Sequence, residues 1–261
     1  MLAPFEEVEV DAIIKGMNPS SVPGADGLPV RVFQTFWQSI KGKIMALFRE
    51  VEQGVSNLSW VNFGIITLIP KVPGDSDIRQ LRPIMVINVI FRIIAKGYAS
   101  RAALLALRIT HPYQMAFVKG RLVLDGILVL HEVIHEIKSK RLCAVFFKIN
   151  FHKADDTVHW SFLREVMTRK GFDSHWITRV MQMVMSGRTA ININCEVGPY
   201  FPTAQGVRQG DPFSTLLFNL VVDALAAILD TAKREDTCWV FATTFLGLAE
   251  SRISSMLTTR S

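Results

Sequence analysis

The chain is predicted to fold as an α+β protein, and three observations lead there. Helix-period and strand-period stretches are mixed without regular alternation, which argues against a doubly wound sheet. One run, Cys143–Ile149, is apolar throughout apart from Lys148, the pattern of a strand buried in a sheet. Hydrophobic residues make up 49% of the 261 residues against 20% charged, enough to build a sizeable core.

In chain order, residues 5–17 read as a short amphipathic helix with Val8, Ile13 and Ile14 among acids. Asn18 to Gly27 is dense in Pro, Gly, Ser and Asp and reads as a loop. Residues 29–53 are predicted helical. Phe63–Ile69 is a β-rich run ended by Pro70-Lys71, with a turn at Pro73-Gly74-Asp75. Residues 84–108 are predicted mostly helical and basic on one side, through Arg92, Lys96, Arg101 and Arg108; residues 122–139 form another helix. After the Cys143–Ile149 strand, Trp160, Leu163, Val166 and Met167 keep helical spacing, as do Trp176, Val180, Met183 and Val184. Ala190–Cys195 and Tyr200–Thr203 are expected to pair as a hairpin across Gly198-Pro199. Ser214–Leu229 is a helix with Leu217, Leu220, Val221, Ala224, Leu225 and Ile228 on its core face. Beyond about residue 232 the pattern dissolves.

The net charge of +6 and a pI near 9.4 fit contact with nucleic acid. Cys143, Cys195 and Cys238 stand far apart with no Cys-x-x-Cys, so neither a disulfide framework nor a zinc site is indicated, and a reducing, intracellular compartment is expected. Met1-Leu2-Ala3-Pro4 leads straight into acids, unlike a signal peptide. The longest apolar run, Leu216–Leu229, is broken by Asn219 and Asp223 and reads as too short to span a bilayer, so no membrane is expected as a partner.

The most informative string is Gln205-Gly206-Val207-Arg208-Gln209-Gly210-Asp211-Pro212, followed by Phe213-Ser214 and an apolar helix. Two glycines bracket a Gln/Arg cluster, and Asp-Pro-x-Ser opens the helix. Flexible backbone, hydrogen-bond donors and a helix N-terminus within a dozen residues suit a nucleotide and its template. The string resembles the template- and nucleotide-contacting motif of reverse transcriptases of the LINE (non-LTR retrotransposon) type. Further blocks resemble the same family in the family's order. They are Pro23-Gly24-Ala25-Asp26-Gly27, Thr67-Leu68-Ile69-Pro70-Lys71, Leu81-Arg82-Pro83-Ile84, Gln114 to Arg121 with Asp125, and Phe147 to Asp156.

The resemblance implies a fingers–palm fragment of a right-hand polymerase, mostly helical, with an incomplete antiparallel palm sheet. Residues 1–140 would hold the fingers and fingers/palm helices, 141–231 a partial palm, and 232–261 an aberrant tail. The family's thumb is expected beyond the end of this chain and its endonuclease before the start. The partners implied are a deoxynucleotide and RNA or an RNA–DNA hybrid. Lys71, Arg82, Asp155, Gln209 and Gly210 fall at nucleotide-binding positions, with Arg79 a weaker candidate. Arg208 is read either as a phosphate ligand or as a partner of Asp211. Arg92, Lys96 and Arg101 either line a template path or form a solvated helix face. His152 and His159 are expected at the surface, and Met181, Met183 and Met185 partly in the core.

The family's chemistry uses two Mg²⁺ ions about 3.5–4 Å apart to stabilise the attacking and leaving oxygens. Magnesium favours anionic oxygen, mostly carboxylate and phosphate. In the family one Asp comes from the end of the strand at 143–150 and two more from a later Ala-Asp-Asp hairpin. Here the first position is Asn150, and no Ala-Asp-Asp follows Gly210. Ala154-Asp155-Asp156 precedes the Gln205–Pro212 motif and feeds a helix, so it reads as an acidic N-cap and first turn. Asp155 also stands where the family has an aromatic that packs under the incoming sugar. Back-translated with Ser255 as AGT, Leu257 as CTG and the threonines as ACG and ACA, residues 255–260 read Tyr-Ala-Asp-Asp-Thr in a shifted frame, so a frameshift between about residues 232 and 254 is expected. No intact catalytic residue and no bound Mg²⁺ are therefore expected, which makes the chain an inactive polymerase fragment. The alternatives are a non-catalytic nucleic-acid-binding remnant and a pseudogene product without function.

Overall fold

The computed structural model describes residues 1–234, apart from residues 56, 73–76, 145, 147, 148, 150, 152 and 209 and the side chains of Arg79 and Lys233. In chain order the elements are α1 (Glu7–Lys15), α2 (Val30–Thr35), α3 (Trp37–Gln53), β1 (Phe63–Pro70), β2 (Leu81–Ile87), α4 (Val89–Ala103), α5 (Ala106–Ile109) and α6 (Val123–Ser139). They continue with α7 (Trp160–Arg169), α8 (Ser174–Met185), β3 (Arg188–Ile193), β4 (Glu196–Val197), β5 (Phe201–Pro202) and α9 (Ser214–Arg234). The described residues divide into two compact units, one from 1–104 and 151–221 and the other from 105–149 and 222–234.

The first unit combines helices with a mixed sheet, as an α+β fold requires. In α1 the apolar residues at i, i+3 and i+4, Val10, Ile13 and Ile14, are buried. The helix expected over 29–53 is broken at Phe36 (φ −100°, ψ 16°), whose ring stays exposed while Phe33 and Trp37 on either side are buried. The aromatic core joins distant segments. Phe5 lies 4.8 Å from Phe48 and 5.3 Å from Tyr98, and Tyr98 lies 5.0 Å from Trp176. Of the methionines at 181, 183 and 185, the first two are buried and Met185 is exposed.

The sheet order is β2-β1-β3-β4, with β5 also on β3. β1 pairs antiparallel with β2 and parallel with β3, so the sheet is mixed rather than antiparallel. Residues 84–87, expected in a helix, complete β2; Asn88 makes the turn and α4 begins at Val89. The ladder from Gly64↔Ile87 to Pro70↔Leu81 satisfies backbone groups that an earlier helix start would divert. The expected pairing of 190–195 with 200–203 does not form: β5 pairs with the start of β3 instead, as Arg188↔Pro202 and Thr189↔Phe201. The tight turn falls instead at Asn194-Cys195, which joins β3 to β4 with φ of 53° and 68°. Two consecutive left-handed residues favour Asn-Gly at such a turn. Replacing Cys195 with Gly should raise the urea midpoint, stabilising the chain by about 1 kcal/mol.

Cys143, Ala144, Phe146 and Ile149 lie outside any strand, and Phe146 and Ile149 are exposed, contrary to the buried strand expected there. A strand needs an edge to pair with, and none of the described strands pairs with this run. In the second unit, Arg121 anchors the 111–121 turn by donating to the carbonyls of His111 (2.6 Å) and Gln114 (2.7 Å). The His111 backbone N–H donates to the Asp223 carboxylate, and its ring Nε2 lies 2.7 Å from Asp230 Oδ2.

Along α9 the buried apolar residues are Leu216, Leu217, Leu220, Val222 and Ala226; Ile228, expected inward, is 65% exposed. Asn219 and Asp223 are buried as well. Over Ser214–Ala232 this helix is long and apolar enough, by length and composition, to cross a membrane, so the reading of its apolar run as too short does not hold.

Candidate nucleotide and nucleic-acid site

The Gln205–Pro212 loop is built against the turn that follows the expected metal position. Asp155–Thr157 form a separate 3-10 turn, and the N-cap of α7 is His159, so the acids are not the first turn of that helix. Gly206 N–H donates to the Val158 carbonyl and Val207 N–H to the Asp155 carbonyl, each at 2.8 Å. The indole Nε1–H of Trp160 donates to the Gly206 carbonyl at 2.8 Å. Gly206 has φ +86°, and a Cβ there would stand 2.9–3.0 Å from backbone atoms of Asp155 and Asp156. Both the backbone conformation and the close approach therefore require glycine.

At the far end of the loop Gly210 has φ +82°, and a Cβ there would lie 3.2 Å from the Met85 carbonyl of β2. Asp211 then folds back on the start of α9, its Oδ1 accepting the Phe213 N–H at 2.8 Å. Burial pushes the Asp211 carboxyl up to about 6, against opposing pulls from the Phe213 N–H, Arg208 and Ser214. Between about pH 4 and 6 the folded chain thus holds a proton that the unfolded chain has released, so this group's contribution to stability falls as pH rises through that window. Asp211→Asn should stabilise the chain at pH 7.5 by about 1–2 kcal/mol and have no effect near pH 4, read from chemical unfolding at both values. Part of the side chain still meets solvent, which keeps the figure at the lower end.

Arg208 turns inward. Its Nη1 donates to the Asn62 carbonyl at 3.1 Å and to Asn62 Oδ1. Burial lowers the guanidinium to about 10, with Asp211 pulling the other way, so it stays charged at neutral pH. Beside it is a cavity of about 210 Å³, lined by Ile66, Pro83, Met85 and Phe201 on the sheet side and by Asp156 and Gln205 on the loop side. Burial raises the Asp155 carboxyl, and the neighbouring Asp156 adds to the shift.

The other sequence-derived candidates divide by exposure. Lys71 and Arg82 are exposed at the paired ends of β1 and β2, where Lys71 N–H donates to the Gln80 carbonyl at 2.9 Å. Arg79 lies in the 3-10 turn Ile78–Gln80. Lys96 is exposed on α4, but its neighbours bond within the unit. Arg92 Nη2 donates to the Val22 carbonyl at 2.9 Å, and burial lowers its guanidinium despite Asp26. Arg101 holds the N-terminal segment, donating to Glu9 at 2.7 and 2.9 Å and to the Pro4 carbonyl at 3.0 Å, with its Cζ 3.5 Å from the centre of the Phe5 ring. His159 is exposed. Asn150, Gln209, His152, Cys238, the turn at 73–75 and the tail beyond Arg234 lie outside the described residues.

An amide stands at position 150, and among the described residues no three His, Cys, Asp or Glu side chains converge. Sequence reasoning missed Asn62, Asn88 and Trp160. For the first two the signal was an asparagine beside an apolar strand, at Val61-Asn62-Phe63 and Val86-Ile87-Asn88.

Comparison with known proteins adds independent support. The sequence profile of the reverse transcriptase (RNA-dependent DNA polymerase) family matches residues 69–252. The chain is 25% identical over 222 residues to a transposon TX1 uncharacterized 149 kDa protein of Xenopus laevis, covering 85% of this chain and 17% of that protein. It is 29% identical over 203 residues to the Pol polyprotein of a type-1 retrotransposable element R2 of Nasonia vitripennis, covering 77% and 19%. To the corresponding R2 polyprotein of Popillia japonica it is 28% identical over 235 residues, covering 87% and 31%. The chain thus spans less than a third of the length of these curated relatives. Sequence motifs, family profile and relatives agree: the chain belongs to the reverse transcriptase family and carries a reverse transcriptase domain of the non-LTR, LINE-type retrotransposons.

Proposed function

We propose that this chain is a fingers–partial-palm fragment of a retrotransposon reverse transcriptase that does not polymerise DNA. Residues 1–140 would be the fingers and fingers/palm helices, 141–231 a partial palm, and 232–261 an aberrant tail that a frameshift would explain. The observation that carries the reading is Asn150 at the first carboxylate position, with no Ala-Asp-Asp string after Gly210. Magnesium needs clustered anionic oxygens, so the family's metal pair is not held here. Gln209, Gly210, Lys71 and Arg82 are the residues proposed to meet a nucleotide, and Lys96 a template phosphate. Primer extension on an RNA template with Mg²⁺ or Mn²⁺ tests the reading. Incorporation lost on changing Gln209 would overturn it.

One structural observation favours a second function, binding without catalysis. The loop at 205–211 keeps its hydrogen bonds to the turn at 155–158 although the carboxylates are gone, and the chain carries a net charge of +6. Such a remnant would bind an RNA–DNA hybrid with a steep salt dependence, and salt-independent binding would end that reading.

A further inference from the structure

We propose that Asn62 is a positioning residue that sets the Gly206–Gly210 loop through Arg208, whose guanidinium acts as an internal strut and not as a phosphate ligand. This rests on the nucleic-acid-binding reading only for its binding consequence; the geometry stands by itself. Asn62 is fully buried. Its Nδ2 donates to the Met183 carbonyl at 2.7 Å and to Ser186 Oγ at 2.8 Å, at the end of α8. Its own carbonyl accepts the Arg188 N–H at 3.0 Å, where β3 begins, and that carbonyl and Oδ1 together hold Arg208 Nη1. Only an amide supplies donors on one side and an acceptor on the other. Aspartate would set an anion against the Met183 carbonyl, and leucine would serve neither side.

Gly187 makes room for the strut. A Cβ there would fall 1.6 Å from Arg208 Nη2 and 2.4 Å from its Cζ, so the guanidinium occupies the volume a side chain would need. Arg208 Nε and Nη2 are closed off from solvent, with no hydrogen-bond partner among the described residues, so the guanidinium faces the interior. Gly206 and Val207 are tied to the 155–158 turn on one side, and Arg208 is tied to Asn62 on the other. Residues 206–208 are therefore held from both sides.

The test uses the full chain with an RNA–DNA hybrid oligonucleotide as probe and two readouts. One is amide hydrogen exchange of peptides covering 204–211; the other is the slope of log binding constant against log salt. Asn62→Leu, Arg208→Met and Gly187→Ala should each speed exchange in that peptide at least about tenfold and weaken hybrid binding by a similar factor, the equivalent of at least one broken buried hydrogen bond. The salt slope should stay at the wild-type value in all three. Gly187→Ala matters because it leaves the charge of the chain unchanged. Combined with Arg208→Met it should be no worse than Arg208→Met alone, since the clash partner is gone. If Arg208→Met lowers the slope by about 0.9 with unchanged exchange, Arg208 is a phosphate ligand and the proposal fails. Native exchange in Asn62→Leu, or loss of protection throughout residues 1–104 rather than in the loop, also overturns it. A wild-type chain that binds no hybrid at any salt removes the binding reading instead, and the exchange arm then decides the strut.

Discussion

Incubated with a primed RNA template, deoxynucleotides and Mg²⁺ or Mn²⁺, the chain is expected to extend no primer, and Asn150→Asp alone is expected to restore none. Exchanging one carboxylate for an amide removes a charge–charge term of about 4 kcal/mol at 4 Å and an effective dielectric near 20. That is about a thousandfold in rate, and more against a divalent ion. Putting the carboxylate back at position 150 returns only this first term. The ions also need the carboxylates of the later hairpin, and no Ala-Asp-Asp string follows Gly210. Activity should reappear only when Asn150→Asp is joined to a restored reading frame that encodes Tyr-Ala-Asp-Asp downstream. Extension by Asn150→Asp alone above a no-enzyme control would show that another group supplies the second metal ligand. Codons at 255–260 that cannot be read as Tyr-Ala-Asp-Asp-Thr would end the frameshift explanation, though not the prediction of inactivity.

Gly24→Ala is expected to cost about 3 kcal/mol of stability, lowering the midpoint of thermal unfolding by roughly 6–12 °C. A Cβ on Gly24 would stand 2.3 Å from Asn88 Oδ1, 2.4 Å from its Cα and 2.6 Å from its N. Two of those atoms are backbone at the junction of β2 and α4, and neither element can yield without losing its own hydrogen bonds. Asn88 is buried and joins three segments, accepting the Asp26 N–H at 3.2 Å and donating to the Val61 carbonyl at 3.2 Å. Gly27 is the control. It has φ +72° with nothing within 4 Å of a built Cβ, so Gly27→Ala should cost only the left-handed penalty of about 1–2 kcal/mol. Equal losses at the two glycines would show that conformation, and not the contact with Asn88, governs this loop.

What the sequence reveals here depends on the range of the forces that set each element. α7 and α8 were readable because their apolar residues recur at helical spacing and burial follows that stripe; α1 and α9 were readable as helices, but Val8 and Ile228, counted among their apolar residues, are exposed. β2 was hidden because Met85-Val86-Ile87 runs without a breaker into the helical Val89-Ile90-Phe91, and only pairing with β1 decides where the strand ends. Cys143–Ile149 shows the converse, since apolar content alone did not place its described residues, Cys143, Ala144, Phe146 and Ile149, in a strand. At the site, Gly206 and Gly210 were legible as glycines in a motif, and both have positive φ. The inward turn of Arg208 was not legible, because the carbonyl that captures it belongs to Asn62, far away in the chain. Nor was Arg101's attachment to the first residues of the chain, which a helical wheel of α4 shows only as one more cation on a basic side.

The parallel pairing of β1 with β3 has a consequence for how the protein is made. Phe63 finds Arg188, and Thr67 finds Asn192, only after the intervening helices have been translated. Until then the newly synthesised chain presents the β1–β2 pair with Ile65, Ile66 and Leu68 along an unmatched backbone edge, a template for adhesion between neighbouring ribosomes. Closing so long a stretch is slow compared with forming local helices. Polypeptides released before residue 188 should therefore aggregate in a translation extract more than those carried past residue 202, in which β3 covers the β1 edge.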